Sequence, residues 1–220
     1  MTPRLWAAAA VGAACLVAPA SSAGATQPVP AGLTAAESNA EDIVDAALAH
    51  DRSSVMSIAA ELKTGVEAQA RPLRADGVPI SLVAELERRA GRVASLARSS
   101  PYVQVLLAAN AVSQLMSSLY ANFAGRVPPA IQTLDYLDRE AEFRSLAGEP
   151  GQVAAAVKEL GRTWAHVRPK VVAAGGAGEA AAYARHVAAM KRLDPASGSR
   201  IRAEATRGLE LVDRLEGVFG

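Results

Sequence analysis

The sequence predicts an all-α protein, an irregular helical bundle of about six or seven helices around a central apolar helix at residues 102–123. Alanine, the strongest helix former, accounts for 50 of the 220 residues. Tyrosine and phenylalanine, which favour strands, together number only seven. Apolar residues recur at spacings of three and four along most of the chain, and no segment shows the alternation typical of a strand. These three observations argue against an all-β fold.

Residues 1–25 have the layout of a secretory signal peptide. A positive charge at Arg4 precedes an apolar run over residues 5–18, and small residues close the segment. The run has 14 residues, fewer than the roughly 20 that cross a bilayer as a helix. We expect cleavage at the end of this segment, with cleavage after Ala20 and lipidation at Cys15 as alternatives. The location is then periplasmic or secreted, or lipid-anchored if Cys15 is acylated.

The charge balance of the exported chain argues against a nucleic-acid partner. Without residues 1–25 the chain carries 22 basic and 22 acidic residues, because Arg4 is the only charged residue removed. No run of lysine and arginine restores a local attraction to phosphate. Cys15 is the only cysteine, so neither a disulfide nor a thiolate metal site is expected after cleavage. A single helical-bundle domain is predicted over residues 34–220.

The exported chain begins with an extended leader at residues 26–33, which contains two prolines. Thr34 is the predicted N-cap of the first helix, and Glu37 is its capping-box partner. Apolar residues at helical spacing then extend this helix to residues 72–77. A helix of that length exceeds the width of a compact domain of this size, so residues 51–54 are a candidate break.

A second helix is predicted from Ser81 to about Ala97, and the third is the central helix. Residues 102–123 contain no charged side chain, and apolar positions cover most of the helix circumference. Asn110 and several serines and glutamines make a hydrocarbon environment costly for this segment. We therefore expect a buried core helix, and no transmembrane span in the exported chain.

Four further helices are predicted in the second half of the chain. The first opens at Pro129, and the second covers about residues 150–175 with a kink expected at Pro169. The third covers about residues 178–193, and the last follows Pro195. Proline and glycine pairs separate these helices, which supports the boundaries.

Sequence signatures of common enzymes are absent. The chain has no Gly-rich phosphate loop, no Gly-x-Ser-x-Gly elbow and no His-Glu-x-x-His zinc helix. It also lacks the Glu-x-x-His pairs of di-iron bundles and the Cys-x-x-Cys-His motif of covalent haem. We expect a noncatalytic protein without covalent haem. The layout is similar to that of periplasmic four-helix-bundle proteins such as the b-type and c-prime cytochromes, a likeness of architecture that carries over no site residues.

An acidic stripe on the fourth predicted helix is the strongest polar pattern. Asp135, Asp138 and Glu142 are spaced by three and four residues and therefore stack along one edge of an apolar face. Three like charges repel one another unless they are compensated, so the stripe is a candidate site for a hard metal ion or a basic ligand. The alternative is that arginines such as Arg139 neutralise the stripe. Asp51 is a candidate fourth carboxylate, or marks the break in the first helix.

His186 and Met190 form a second candidate site. Their spacing of four places them on one face of a helix, an arrangement that suits copper or an axial pair of haem ligands. His166 would lie at a similar height across an antiparallel helical hairpin, but helical periodicity turns it towards water. The alternative is that these are ordinary surface and boundary histidines.

The function expected from these features is that of an exported, noncatalytic binding or interaction protein of the bacterial cell envelope. The abundance of alanine, with arginine far outnumbering lysine, is typical of a GC-rich bacterial genome. The partner would be an unidentified protein or small ligand. The alternative is a periplasmic helical bundle that binds a metal ion or haem.

Overall fold

The computed structural model describes residues 27–220, and this part of the chain contains eight α-helices and no β-strand. The predicted all-α helical bundle is confirmed. The predicted signal peptide at residues 1–25 lies outside the described residues. In chain order the helices are α1 (Ala31–Leu48), α2 (Arg52–Ala75), α3 (Ile80–Leu96), α4 (Tyr102–Tyr120), α5 (Ala130–Leu146), α6 (Pro150–Ala173), α7 (Ala177–Met190) and α8 (Gly198–Gly217).

The first predicted helix is divided in two at Asp51, which produces the eighth helix. The Asp51 side chain accepts hydrogen bonds from the backbone N–H groups of Ser53 and Ser54, each at 3.1 Å. Asp51 is therefore the N-cap of α2. His50, just before it, has a positive φ of 57°, and the chain reverses there so that α1 and α2 pack together. Asp51 thus belongs to a cap and is not a fourth member of the acidic stripe.

The start of α1 differs from the prediction. The helix begins at Ala31, directly after the extended Pro30, so the predicted capping box of Thr34 and Glu37 is wrong. Both of those residues already lie inside the helix. The extra turn brings Leu33 into the core, where its side chain is buried, and this burial favours the earlier start.

The buried apolar side chains of the described residues form two clusters. The first joins α1 to α4, and the second joins α5 to α8. The prediction of a central core helix is confirmed for α4, which buries eleven of its nineteen residues. α5 contributes to both clusters, because Ile131 and Leu134 pack into the second while Phe143 packs into the first. The polar edges of α5 are consequently enclosed by helices of both clusters.

The neighbours of α5 determine where its polar side chains can lie. α5 packs against α4, α6 and α8, and α4 in turn packs against α1. Polar residues of α1, α4, α5 and α8 can therefore meet at one edge of the bundle. α6 continues as one helix through Pro169. Within residues 27–220, no helix combines the length and apolar character that crossing a bilayer requires.

Candidate functional site

The carboxylates of the acidic stripe lie in three different surroundings. Asp138 is completely buried. Asp135 lies beside Arg139, with its Oδ2 atom 3.0 Å from the guanidinium Nε. Burial raises the pKa of Glu142, and the positive charges of Arg139 and Arg202 oppose that increase. Arg139 thus contacts Asp135, Arg139 and Arg202 act on Glu142 through their charges alone, and Asp138 has other partners.

Asp138 is the centre of a buried hydrogen-bond network between α5, α7 and α8. The Tyr183 hydroxyl donates to Asp138 Oδ2 at 2.8 Å, and Nε2 of His186 lies 2.9 Å from Asp138 Oδ1. Nδ1 of His186 lies 2.9 Å from Oε1 of Glu204. A Cβ atom at Gly208 of α8 would lie 2.4 Å from Asp138 Oδ2 and 2.6 Å from His186 Nε2. Only glycine therefore leaves room for these four side chains, which we call the buried network.

The hydrogen bonds of His186 involve both of its ring nitrogens. Each nitrogen lies 2.9 Å from a carboxyl oxygen, so one hydrogen lies between the two atoms of each pair. Burial alone would lower the pKa of His186, but the hydrogen bonds and negative charges of the two carboxylates outweigh it and raise that pKa. Burial raises the pKa of Asp138 as well, and the hydrogen bond and charge of His186 oppose that increase. The network therefore holds a proton between Asp138 and His186 and joins α5, α7 and α8.

These contacts bear on the predicted pairing of His186 with Met190. Both ring nitrogens of His186 are occupied by carboxylates, so neither is free to bind a metal ion or haem iron. Met190 is buried in the second apolar cluster, and His166 is exposed as expected. The interpretation of His186 as a boundary residue is wrong, because its side chain is fully enclosed. In the described part of the chain, no group of three or more His, Cys, Asp or Glu residues is placed to hold a metal ion.

A separate cavity of about 200 Å³ lies at the edge where α1, α4, α5 and α8 meet. We call it the acidic cavity, because its wall contains five carboxylates and a single positive charge, Arg139. Arg139 already donates to Glu41 at 3.1 Å in addition to its contact with Asp135. The acidic cavity is lined by Glu37 and Glu41 of α1, Ser113 of α4, Gln132, Asp135 and Arg139 of α5, and Val212, Asp213 and Glu216 of α8.

Glu37, Asp135 and Glu216 of the acidic cavity hold their protons more tightly than usual. Burial raises the pKa of Glu37 to about 7, against the lowering effect of its hydrogen bond from Tyr120, and the charge of Glu41 adds to the increase. Burial likewise raises the pKa of Asp135 to about 7, although Arg139 opposes it. The pKa of Glu216 is raised for the same reason. Burial is the main cause of these increases, and repulsion between neighbouring carboxylates adds to it.

A second and larger pocket of about 460 Å³ adjoins the acidic cavity. We call it the outer pocket; its wall is mainly apolar and includes Val29, Phe123 and Val127. Glu37 and Gln132 line both spaces, so the two lie side by side. The outer pocket is lined by Val29, Thr34, Glu37, Tyr120, Ala121, Phe123, Gly125, Arg126, Val127, Pro129 and Gln132.

Glu37 and Gln132 stand at the junction of the acidic cavity and the outer pocket. Oε2 of Glu37 accepts a hydrogen bond from the Tyr120 hydroxyl. The amide oxygen of Gln132 is buried and has no hydrogen-bond partner among the described residues. The junction therefore presents acceptor oxygens to anything that enters from the outer pocket.

Sequence reasoning identifies Asp135 and its neighbour Arg139 but misses the other residues of this site. Glu37 was assigned to a capping box, and Gln132 and Tyr120 were not singled out. A weak signal existed on α1, where Glu37 and Glu41 are four residues apart and border the buried Ala36 and Ala40. Spacing within α1 does not show that α5 and α8 lie opposite this edge.

Comparison with protein-family models, with curated proteins and with solved structures finds no match to this chain. What it does is therefore inferred from the chemistry of its own residues. Asp138 and His186 at the centre of the buried network are closed to solvent, whereas the acidic cavity adjoins a pocket of ligand size. The acidic cavity with the outer pocket is the candidate binding site.

Proposed function

We propose that this chain is an exported, noncatalytic binding protein of the bacterial cell envelope, whose small ligand occupies the outer pocket and reaches the acidic cavity. One observation carries the proposal: a mainly apolar pocket of about 460 Å³ borders a group of polar side chains. Ligand sites in proteins are typically concave, about 300–1,000 Å³ in volume and apolar with a few convergent polar groups. The outer pocket falls in that range.

The noncatalytic part of the proposal is supported by the placement of the reactive groups. Asp138 and His186 resemble the acid–base pairs of enzymes, but both side chains are 0% exposed, so a substrate cannot reach them. Tyr120 faces the outer pocket, yet burial and its bond to Glu37 raise the pKa of its hydroxyl. Tyr120 thus stays protonated at neutral pH and acts as a hydrogen-bond donor.

The location is supported by the layout of residues 1–25, with a charged start, an apolar run and a small-residue end. The intact mass of protein recovered from the periplasm of an expressing bacterium tests it. We expect the mass of the chain without residues 1–25. A mass that retains this segment would contradict export by cleavage, and an acylated Cys15 would replace it with lipid anchoring.

Ligand binding is tested with a pair of matched substitutions. Ala121 and Ala49 are both exposed residues that follow a helix with right-handed helical backbone angles, but only Ala121 lines the outer pocket. Ala121→Trp should fill the pocket, and Ala49→Trp is the control. The protein without residues 1–25 is screened by ligand-observed NMR against small aromatic and aliphatic compounds that are neutral, cationic or anionic.

The expected result is at least one compound whose binding is lost in Ala121→Trp and retained in Ala49→Trp. Circular dichroism should show the same helix content in all three proteins, since both alanines are on the surface. If every compound that binds does so equally well to Ala121→Trp, or if none binds, the outer pocket is not a ligand site and the proposed function fails.

A further inference from the structure

We propose that the ligand of this site is an organic amine with an apolar body, whose ammonium group enters the acidic cavity while the apolar part fills the outer pocket. This inference rests on the proposed function and adds the chemical class of the ligand. It follows from the charges in the cavity wall, from an unsatisfied acceptor at the junction of the two spaces, and from the apolar wall of the outer pocket.

The charge of the acidic cavity calls for a cation. Five carboxylates line it, and Arg139 is the one basic residue in its wall. Arg139 is already shared between Glu41 and Asp135. Among residues 27–220, no arginine, lysine or histidine forms an ion pair with Glu37 or Glu216. An ammonium group placed among these side chains would supply the missing positive charge in a partly desolvated space, where charge-assisted hydrogen bonds are strong.

The unsatisfied acceptor at the junction indicates a hydrogen-bond donor. The Gln132 amide oxygen is buried without a partner among the described residues, and leaving a buried acceptor in that state is unfavourable. An ammonium group has up to three N–H donors and no acceptor. These donors match the acceptor oxygens of Gln132, Glu37 and Asp135, which all line the acidic cavity. An anionic or purely acceptor ligand would leave Gln132 unsatisfied and add to the repulsion.

A metal ion fits the same charge less well. A hard divalent cation needs several oxygen ligands at about 2.0–2.6 Å. In the part of the chain that the structure describes, the acidic side chains do not converge into such a set. Carboxylates spread along the wall of a cavity of about 200 Å³ suit a larger cation with directional N–H groups.

The outer pocket determines the rest of the ligand. Val29, Phe123, Val127 and Pro129 make its wall mainly apolar, so burial of a hydrocarbon or aromatic group there is favourable. Arg126 also lines the pocket, but its side chain is exposed and its charge is screened by water. A small inorganic or methylated ammonium ion would leave this space empty. The geometry therefore points to an amine with an attached apolar group.

Three probes with a common phenylethyl group test the class of ligand. They are 2-phenylethylamine, 2-phenylethanol and 3-phenylpropionate, which carry a positive, a neutral and a negative head. Isothermal titration of the protein without residues 1–25 at pH 8, where Glu37 and Asp135 are largely ionised, gives each affinity. We expect the amine to bind about tenfold or more tightly than the alcohol, and the carboxylate not to bind.

Two glutamate variants identify the charge responsible. Glu37→Gln keeps the size of the side chain and an acceptor for Tyr120 but removes the negative charge. It should weaken amine binding by about tenfold and leave binding of the alcohol unchanged. Glu61→Gln, at an exposed position of α2 outside both pockets, is the control and should bind like the wild type. A loss of amine affinity in both variants, or in neither, would overturn the role of the acidic cavity.

The remaining outcomes separate the inference from the proposed function. If the alcohol or the carboxylate binds as tightly as the amine and Ala121→Trp abolishes that binding, the chain is a binding protein but not one for amines. If none of the three probes binds and the only compounds of the NMR screen that are lost in Ala121→Trp are neutral or anionic, the amine inference again fails alone. If no compound depends on Ala121, both proposals fail.

Discussion

Replacing Gly208 with alanine should destabilise the protein, although glycine-to-alanine changes inside helices usually do the opposite. Alanine is favoured over glycine by about 0.8–1 kcal/mol in a helix interior. At Gly208, however, the added Cβ would lie 2.4 Å from Oδ2 and 2.6 Å from Cγ of Asp138, and 2.6 Å from Nε2 of His186. Ordinary contacts begin more than about 3.4 Å apart, so the new atom and the buried network cannot both keep their positions.

The magnitude follows from what must move. Neither Asp138 nor His186 can turn into solvent, because both side chains are 0% exposed. Displacing them stretches or breaks the hydrogen bond between the buried side chains of His186 and Asp138, and breaking a buried ionisable pair costs about 3–5 kcal/mol. Overpacking by a methyl group that the surroundings absorb by shifting costs about 1–3 kcal/mol. A displacement cost near 3 kcal/mol, less the gain in helix propensity, lowers the free energy of unfolding by about 2 kcal/mol. For a chain of this size this corresponds to a decrease in Tm of about 4–8 °C.

Two other glycines provide the control. Gly65 in α2 and Gly91 in α3 are helical, and a Cβ atom at either would have no atom within 4 Å outside its own helix backbone. Gly65→Ala and Gly91→Ala should therefore raise the free energy of unfolding by up to about 1 kcal/mol. Urea unfolding followed by circular dichroism measures all three variants. If Gly208→Ala is as stable as the two controls, Asp138 and His186 are not packed against α8 as described, and the reasoning is refuted.

Two further predictions concern the core and the acidic cavity. Leu119→Ala should lower the free energy of unfolding in urea by about 2–5 kcal/mol, because Leu119 is fully buried in the first apolar cluster. Leu107→Ala should lower it clearly less, because Leu107 is only half-buried. Equal losses in the two variants would contradict this placement of α4. Because the pKa of Glu37 is about 7 when folded and about 4.3 in an unfolded chain, only the folded protein keeps this proton between those values, so the free energy of unfolding falls as the pH rises through that range. Glu37→Gln removes the titrating group, so its free energy of unfolding relative to that of the wild type should increase by about 1 kcal/mol from pH 5 to pH 7.5. If the difference between the two proteins is the same at both pH values, Glu37 is not buried in the acidic cavity.

The fold class was predictable because it depends on local patterns. Alanine content, helical spacing and proline-glycine breaks act within one helix, and they placed the central helix at residues 102–123 where α4 spans Tyr102–Tyr120. The break at residues 51–54 was also predictable, since an unbroken helix there would exceed the width of a compact domain, and the structure shows Asp51 as the N-cap. Features that depend on one helix alone were therefore mostly recovered.

The site was less predictable because its contacts join distant parts of the chain. Asp138 meets His186 across 48 positions of sequence, and Glu37 meets Tyr120 across 83. Periodicity tells which edge of a helix a residue occupies, but not which helix lies opposite. His186 looked like a boundary residue on α7 because the space that accepts its ring is created by Gly208 on α8.

The acidic stripe on α5 shows how a correct local pattern can have several compensating partners. Its spacing does align Asp135 and Asp138 along one edge, and the charge of Asp138 helps to raise the pKa of Asp135. Compensation comes separately, however, from His186 for Asp138 and from Arg139 for Asp135. The charge without compensation comes instead from α1 and α8, through Glu37 and Glu216, which meet α5 only in the folded bundle. A cation in the acidic cavity would interact with carboxylates of α1, α5 and α8. Substitution of a single stripe residue on α5 would therefore test cation binding less directly than Glu37→Gln.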